Sequence, residues 1–473
     1  MTISSPGIGS GLDVQSIVSK LVALEKAPLG PLQQKASGLS SKLSAYGQLK
    51  SQIATLQDQA GKLAEATNWQ QKKVTSSDAS VTGTATAAAA SAAFTLEVSQ
   101  LARAQSVNSG LIPSGSPVGE GALKIQIGTW SGGAFAAGAA SEVSIDITAA
   151  DDTLAKVAAK INGANAGVTA TVLRDASGER LLMRSSTTGE ASGFRIQTAD
   201  SDGDNLDNAG LSRLAFDPES GSNGLQLTQS AQDTEATING VAVRSATTIF
   251  AGTIDGLTFK VGAVTTGPVE ISIDADTESA KKSVSDFVNA YNGLSIALGE
   301  MTRYNPDSKT AGTLQGDSTA VQLQSAMRQL LGSLGPAGGD ISRLSDIGVQ
   351  FQSNGTLKVD DTKLSAALAK PAQLQAFFAA DPAGTEQDGL ATRIKAFTTG
   401  LLGVDGVFET KTASIQSAVK RNTQDQDLVN ERASRTEVRL LAQYSRLDTQ
   451  LAGLNALNSY ISQQVTTWNK SKN

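Results

Sequence analysis

The chain has 473 residues, no cysteine, no histidine and a formal net charge of −6. Those absences exclude disulfides, thiolate catalysis, Ser-His-Asp chemistry and Cys- or His-ligated metal sites, and the acidic balance argues against a general nucleic-acid binder. Apolar residues are 40% of the chain and aromatics only 4%, so about three domains are expected, with cores of Ala, Leu, Val and Ile.

Carboxylate-only chemistry such as glycoside hydrolysis stays open, but no motif singles out a pair among 45 acidic residues, so no enzyme is expected. No stretch approaches the ~18 apolar residues of a membrane span. The N-terminus lacks the basic and apolar regions of a cleaved secretory signal, which taken alone points to the cytoplasm.

The opening "SSPGIGSGLDVQSIVSKLVALEKAPL" begins like a phosphate-binding loop at Gly7 and Gly9, but Leu12 stands where the third glycine is needed and no apolar strand precedes it. A flexible leader entering a helix at Asp13, a good N-cap residue, is the better reading. Val14, Ile17, Val18, Leu21 and Val22 then form one apolar stripe that needs a partner. Pro28 and Pro31 read as a hinge before a second helix. In that helix Leu39, Tyr46, Ile53 and Ala60 form one seven-residue row, and Leu49, Leu56 and Leu63 its companion, which Lys42 interrupts.

From about Val74 to Asp274 the pattern changes to short alternating segments punctuated by Gly, Ser, Asn and Asp, as antiparallel sheets require. One amphipathic helix interrupts them, with Leu154, Val157, Ala158 and Ile161 facing inward. Asp200, Asp202 and Asp204 imitate the start of a calcium-binding loop, but Asn205 and Leu211 stand where Gly and Glu are required, so an acidic turn is expected. Helices resume with Phe287, Tyr291, Leu294, Leu298 and Met301 on one face, then Val321, Met327 and Leu330 on another. Asn354-Gly355 signals a hairpin, followed by a helix from Asp361 or Thr362.

The C-terminus carries the most regular pattern. Leu440, Leu447, Leu454, Ile461 and Trp468 are spaced by seven, and Tyr444, Leu451, Asn458 and Val465 make the second row. Such a heptad seam seeks a coiled-coil or bundle partner, and Asn458 is the kind of polar residue that sets register. An ordinary bundle helix would read the same way. The seam's placement at the C-terminus, mirrored by helices at the N-terminus, favours the two ends packing on each other or on neighbouring subunits.

The fold class is therefore α+β and multidomain, with a terminal coiled-coil and helical-bundle region formed by both chain ends around two nested β-rich domains. The expected boundaries are 1–35 with 436–473 for the coiled-coil region, and 36–73 with 275–435 for the helical bundle with its hairpin. A β-rich domain takes 74–118 with 231–274, and an inserted β-rich domain with one helix takes 119–230.

Seven strings in order resemble the flagellar filament cap (hook-associated protein 2) family over most of the chain. They are "GIGSGLDVQSIVSKLVALEKAPL", "FTLEVSQLARAQSVNSG", "TLAKVAAKINGANAGVTATVLRDASGERLLMRSSTTG", "ATINGVAVRSATTIFAGTIDGLTF", "FVNAYNGL", "IGVQFQSNGTLKVDDTKLSAAL" and "LQAFFAAD". Thr247-Thr248 departs from the family's usual Ser-Asn, which puts one local turn in doubt.

The resemblance implies a non-enzymatic extracellular protein without cofactor or metal. It would form a homo-oligomeric ring at the distal filament tip, guide flagellin into place and prevent subunit loss. Export through the flagellar type III apparatus with an uncleaved signal replaces the cytoplasmic expectation. Partners implied are flagellin, further copies of the chain, a hook–filament junction protein, a cytosolic export chaperone and, in some members, host glycans. Val14, Ile17, Val18, Leu21, Val22, Leu49, Ile53 and Leu56 are the expected oligomer or filament contacts. The seam from Leu440 to Trp468 is the expected chaperone and assembly surface, unpartnered and mobile in the monomer. Alternatives are a junction protein or another axial flagellar protein, and a secreted glycan-binding adhesin.

Overall fold

The computed structural model describes residues 13–222, 224–336, 340–382 and 387–470. Gly7, Gly9 and Leu12, on which the phosphate and leader readings rest, lie outside the described residues. The chain divides into two compact units, Met1–Trp69 with Thr277–Asn473, and Gln70–Asp276.

Helix α1 (Val14–Lys26) starts where Asp13 accepts a hydrogen bond from the Ser16 amide at 2.9 Å. Ala27 and Pro28 interrupt the chain before α2 (Leu29–Ala64). Pro31 is not part of the break: it sits in the first turn of α2, where a missing N–H forfeits no helical bond.

The second unit contains β1 (Lys72–Ser76), β2 (Val81–Ala85), β3 (Ala92–Gln100), β4 (Ser106–Ser109), β5 (Gly121–Ser131), β6 (Ala134–Ala137) and β7 (Val143–Ile147). Helix α3 (Leu154–Gly163) follows, then β8 (Val168–Asp175), β9 (Gly178–Ser185), β10 (Gly193–Asp200) and β11 (Leu225–Gln229). The return is β12 (Thr234–Ile238), β13 (Val241–Ser245), β14 (Ile249–Ile254), β15 (Leu257–Val261) and β16 (Val269–Ala275).

Eight of these strands form one antiparallel sheet in the order β13-β12-β3-β16-β1-β2-β15-β14. Its apolar face gathers Leu96, Val98, Ile271 and Ile273 with a stacked Phe250–Phe259 pair, ring centroids 4.8 Å apart. The Thr247-Thr248 turn is well satisfied: the Thr247 carbonyl accepts from Thr234 Oγ1 at 2.7 Å, and Thr247 Oγ1 donates to the Ile249 carbonyl at 3.1 Å. Inserted within this sheet are two four-stranded sheets, β10-β5-β6 with β7 on β5, and β11-β4-β9-β8. Their shared core takes Leu154, Val157, Ala158 and Ile161 of α3. Because β4 pairs with β9 and β11, the passage into the inserted layer falls before Ser106 rather than near residue 119.

Back in the first unit come α4 (Thr277–Thr302), the short strands β17 (Tyr304–Asn305) and β18 (Thr310–Ala311), and α5 (Ser318–Gly332). The hairpin β19 (Val349–Phe351) and β20 (Leu357–Val359) flanks Asn354-Gly355. Helices α6 (Asp361–Leu368), α7 (Pro371–Ala379), α8 (Leu390–Leu402) and the 64-residue α9 (Val407–Lys470) complete it. Both helical regions expected from the sequence thus belong to one unit. The buried face of α5 is Ala320, Leu323, Met327 and Leu331, with Leu330 half-buried beside it; of the expected stripe only Val321 is exposed, because Ala320 takes the inward position next to it.

α2 is the axis of this unit. Tyr46, Leu49, Ile53, Leu56, Ala60 and Leu63 are buried against α4, α8 and α9. This corrects the expectation for Leu49, Ile53 and Leu56: each is 0% exposed, so none can meet a filament or a neighbouring subunit. The heptad pattern there answers to helices of the same chain.

Two asparagines hold strands to helices. Asn162 on α3 donates its amide to the Ala170 carbonyl and accepts the Ala170 amide, both at 2.8 Å, so its carboxamide occupies one position of the open edge of β8. Asn292 on α4 does the same for Leu357 of β20, at 2.9 and 2.6 Å. A planar carboxamide offers the same donor and acceptor as a peptide group, which is how one side chain stands in for a strand.

Candidate assembly surface

The start of α9 is anchored by burial and charge. Phe408 meets Tyr46 edge-to-face at 5.7 Å, Ile415 is buried, and Asn422 Nδ2 donates to the Leu32 carbonyl at 3.1 Å. Asp317, the N-cap of α5, accepts from the Tyr46 hydroxyl at 2.7 Å and pairs with Lys411 Nζ at 3.1 Å. Burial pushes the Asp317 carboxyl up, but hydrogen bonds from Tyr46 and Lys411 outweigh it and hold the group below the usual aspartate range. Burial, reinforced by Asp317, pushes the Tyr46 hydroxyl well above the ordinary tyrosine range.

Farther along, α1 lies on α9. Val14, Val18 and Val22 are buried against Ala433, with half-buried Leu440, Leu441 and Tyr444 around them. This agrees with the reading that the two chain ends pack on each other and corrects the one in which the α1 stripe buries against filament or neighbouring subunits: the chain's own last helix covers its centre. Ile17 is half-buried, and Leu21 is 37% exposed at the margin.

Past α1 the seam has no cover among the described residues. Leu451 is half-buried, and beyond it every described side chain of α9 is exposed, Asn458 among them. Leu447, Leu454, Ile461, Val465 and Trp468 are all about half exposed or more. Leu457 and Tyr460, which the heptad rows leave out, add exposed apolar surface beside them.

A phase change falls before this boundary, within the stretch packed on α1. Phe408, Ile415, Asn422 and Val429 are spaced by seven, as are Tyr444, Leu451, Asn458 and Val465, yet fifteen positions separate Val429 from Tyr444. One residue beyond two heptads means consecutive four-residue steps at Thr436, Leu440 and Tyr444, which locally unwinds a coiled coil. The outer seam nonetheless continues the row that packs on α1, since Ala433, Leu440 and Leu447 are seven apart and Leu440 and Tyr444 border that contact.

Beside the α1–α9 contact lies a groove of about 460 Å³ walled by Leu21, Leu24 and Pro28 on one side and Arg432, Arg439 and Leu440 on the other. Sequence reading passed over these arginines, although their recurrence in "NERASRTEVRL" at intervals of three and four was visible.

The acidic stretch of the other unit is a series of turns. Asp202 accepts from the Asp204 amide at 2.9 Å, Asp204 from Leu206 at 3.0 Å, Asp207 from Ala209 at 3.1 Å, and Asp200 from Ser212 at 2.8 Å. These carboxylates are engaged by the loop's own backbone, as Asx turns require. Among the described residues no group of three or more acidic side chains is placed to hold a metal ion, and no helix is long and apolar enough to cross a membrane.

Comparisons with known proteins agree along the chain. Residues 10–105 match the family model for the flagellar hook-associated protein 2 N-terminus, and 231–456 the model for its C-terminus. Residues 134–187 match the flagellin hook IN motif. The chain is 30% identical to flagellar hook-associated protein 2 of Escherichia coli strain K12, over 100% of both chains. It is 29% identical to the A-type flagellar hook-associated protein 2 of Pseudomonas aeruginosa, over 98% of this chain and 97% of the relative. Among solved structures, the D1-D2-D3 domains of the flagellar cap protein FliD from Escherichia coli align with a TM-score of 0.62 and 28% identity, covering 79% of this chain and 99% of that one.

Proposed function

The chain belongs to the flagellar hook-associated protein 2 family, and from that premise we propose that it acts as a flagellar filament cap, a structural protein at the extracellular tip of the filament that promotes ordered flagellin assembly. The observation that carries the reading is the outer seam of α9, where Leu447, Leu454, Ile461, Val465 and Trp468 present a helical row to solvent. Apolar rows of this kind mark protein–protein contact sites.

In this reading several copies form a ring, and the outer seam packs against filament or neighbouring cap subunits. The same row is sheltered by an export chaperone before the chain leaves the cell through the flagellar export apparatus, with its N-terminus uncleaved. Many modest apolar contacts suit a cap that must hold its place and still shift as each flagellin enters.

The test is immunogold labelling of intact motile cells with antibody against Gln70–Asp276. Gold at the free filament ends is expected. Label at the filament base would make the chain a junction protein, and label spread over the cell body would favour an adhesin.

A further inference from the structure

One side of α9 is basic in a chain whose net charge is −6. Arg421, Arg432, Arg435, Arg439 and Arg446 are separated by 11, 3, 4 and 7 residues, spacings that return to one side of a helix, and Asp425, seven before Arg432, is an acidic residue on that side. All five are exposed, and among the described residues only Arg435 has an ion-pair partner, Glu431. From Arg432 to Arg446 the row extends ~21 Å along the helix.

The row does not lie on bare helix. Arg432 and Arg439 form the rim of the α1–α9 groove, whose floor and far wall are apolar: Leu440, Leu21, Pro28 and Leu24, the last 71% exposed. Glu25 adds a carboxylate on the α1 wall. Val14, Val18 and Val22 are turned inward on α9, so the groove lies beside the internal contact and meets both it and the outer seam at Leu440.

We infer that this groove binds an acidic amphipathic helix supplied by another protein chain. The apolar floor fits residues repeating at three and four positions. The guanidinium rim fits carboxylates flanking that stripe at the same spacing, because arginine pairs with carboxylate in a planar two-pronged geometry. A second copy of this row repeats the same positive charges and is repelled from it, so the occupant is not the equivalent surface of a neighbouring copy. The inference goes beyond the cap assignment and does not rest on it.

The test uses the full chain and two labelled synthetic helical peptides of one leucine pattern, one carrying flanking glutamates and the other lysines at the same positions. Fluorescence anisotropy at low and raised salt is the readout. The glutamate peptide binds and the lysine peptide does not, and added salt weakens binding, since exposed charges are screened over about 10 Å. Arg432→Glu with Arg439→Glu weakens the glutamate peptide roughly tenfold, as two rim attractions become repulsions, and makes the lysine peptide bind. Arg432→Gln with Arg439→Gln, which removes charge without adding any, gives a smaller loss and serves if the reversal disturbs folding by circular dichroism. Leu447→Asp with Leu454→Asp leaves peptide binding unchanged. Equal binding of both peptides, no binding of the glutamate peptide at low salt, or indifference to the arginine changes would overturn the inference.

Discussion

Along α9, the stretches from Phe408 to Tyr444 and from Leu447 to Trp468 both repeat every seven residues, the first with one extra residue, yet the first has its apolar row buried or half-buried on α1 and α2 while the second faces solvent. What differs is the presence of a facing helix. The inner stretch meets α2 and then α1; the outer stretch carries the row of Ala433 and Leu440 beyond the described residues of α1. Helical periodicity announces that a face wants cover, while whether cover exists is decided by how far the other elements reach.

The largest expected effect falls on the covered side. Leu56→Ala, at a fully buried position of α2, lowers the unfolding free energy by about 2–5 kcal/mol, the usual range for an emptied leucine site. Denaturant unfolding followed by circular dichroism checks it. A loss below about 1 kcal/mol would mean that the α2 seam is not the centre of the core.

Asn292→Ala is next, at about 1–3 kcal/mol, because it strips partners from both backbone groups of Leu357. Hydrogen exchange should show the Leu357 amide losing protection beyond the global change. Unaltered protection there would show that the hairpin holds without its clamp.

Acid should loosen the anchored start of α9. The folded-state pKa of Asp317 lies below its unfolded value, so the stability it contributes is full above the ordinary aspartate value near pH ~3.9 and is lost as pH falls through its lowered folded value. Asp317→Asn keeps an N-capping side chain but loses the charge paired with Lys411, so it costs about 1 kcal/mol at neutral pH and flattens that part of the acid profile. Unfolding midpoints from pH 7 down to 3 for both proteins decide the point. Tyr46 acts in the opposite direction: its raised pKa means stability present below the ordinary tyrosine value near pH ~10 and lost as pH rises beyond it.

The smallest effect on stability belongs to the bare side. Leu447→Asp with Leu454→Asp changes the unfolding free energy by less than about 0.5 kcal/mol, as exposed substitutions do, while tip assembly and chaperone binding are abolished. A large loss of stability would place the outer seam within the fold of the monomer. Normal motility of the double variant would remove the seam from assembly.

Much of this was legible in the residues. Asp13 caps α1, the four apolar residues of α3 point inward, and the Asn354-Gly355 hairpin and the helix at Asp361 lie where expected. Each depends on neighbours in the chain. Leu49, Ile53 and Leu56 were assigned to an outside partner because a heptad row carries no sign of whose helix fills it. Asn162 is legible as a position of the family resemblance and Asn292 only as part of a string, and their clamping of Ala170 and Leu357 needs residues that meet in the fold. In the case of Asn292 the partner is 65 positions away.

By itself, then, the sequence determined which segments are helical or extended, which face of each is apolar, and what chemistry is impossible without cysteine or histidine. These follow from backbone periodicity and side-chain composition, both local properties. Tertiary structure decided which apolar faces are used up internally, that Thr234 and Thr247 hold a turn together, and that Arg432 and Arg439 rim a groove. Burial and charge pairing depend on distances between residues far apart in the chain, and those distances exist only once the helices have met.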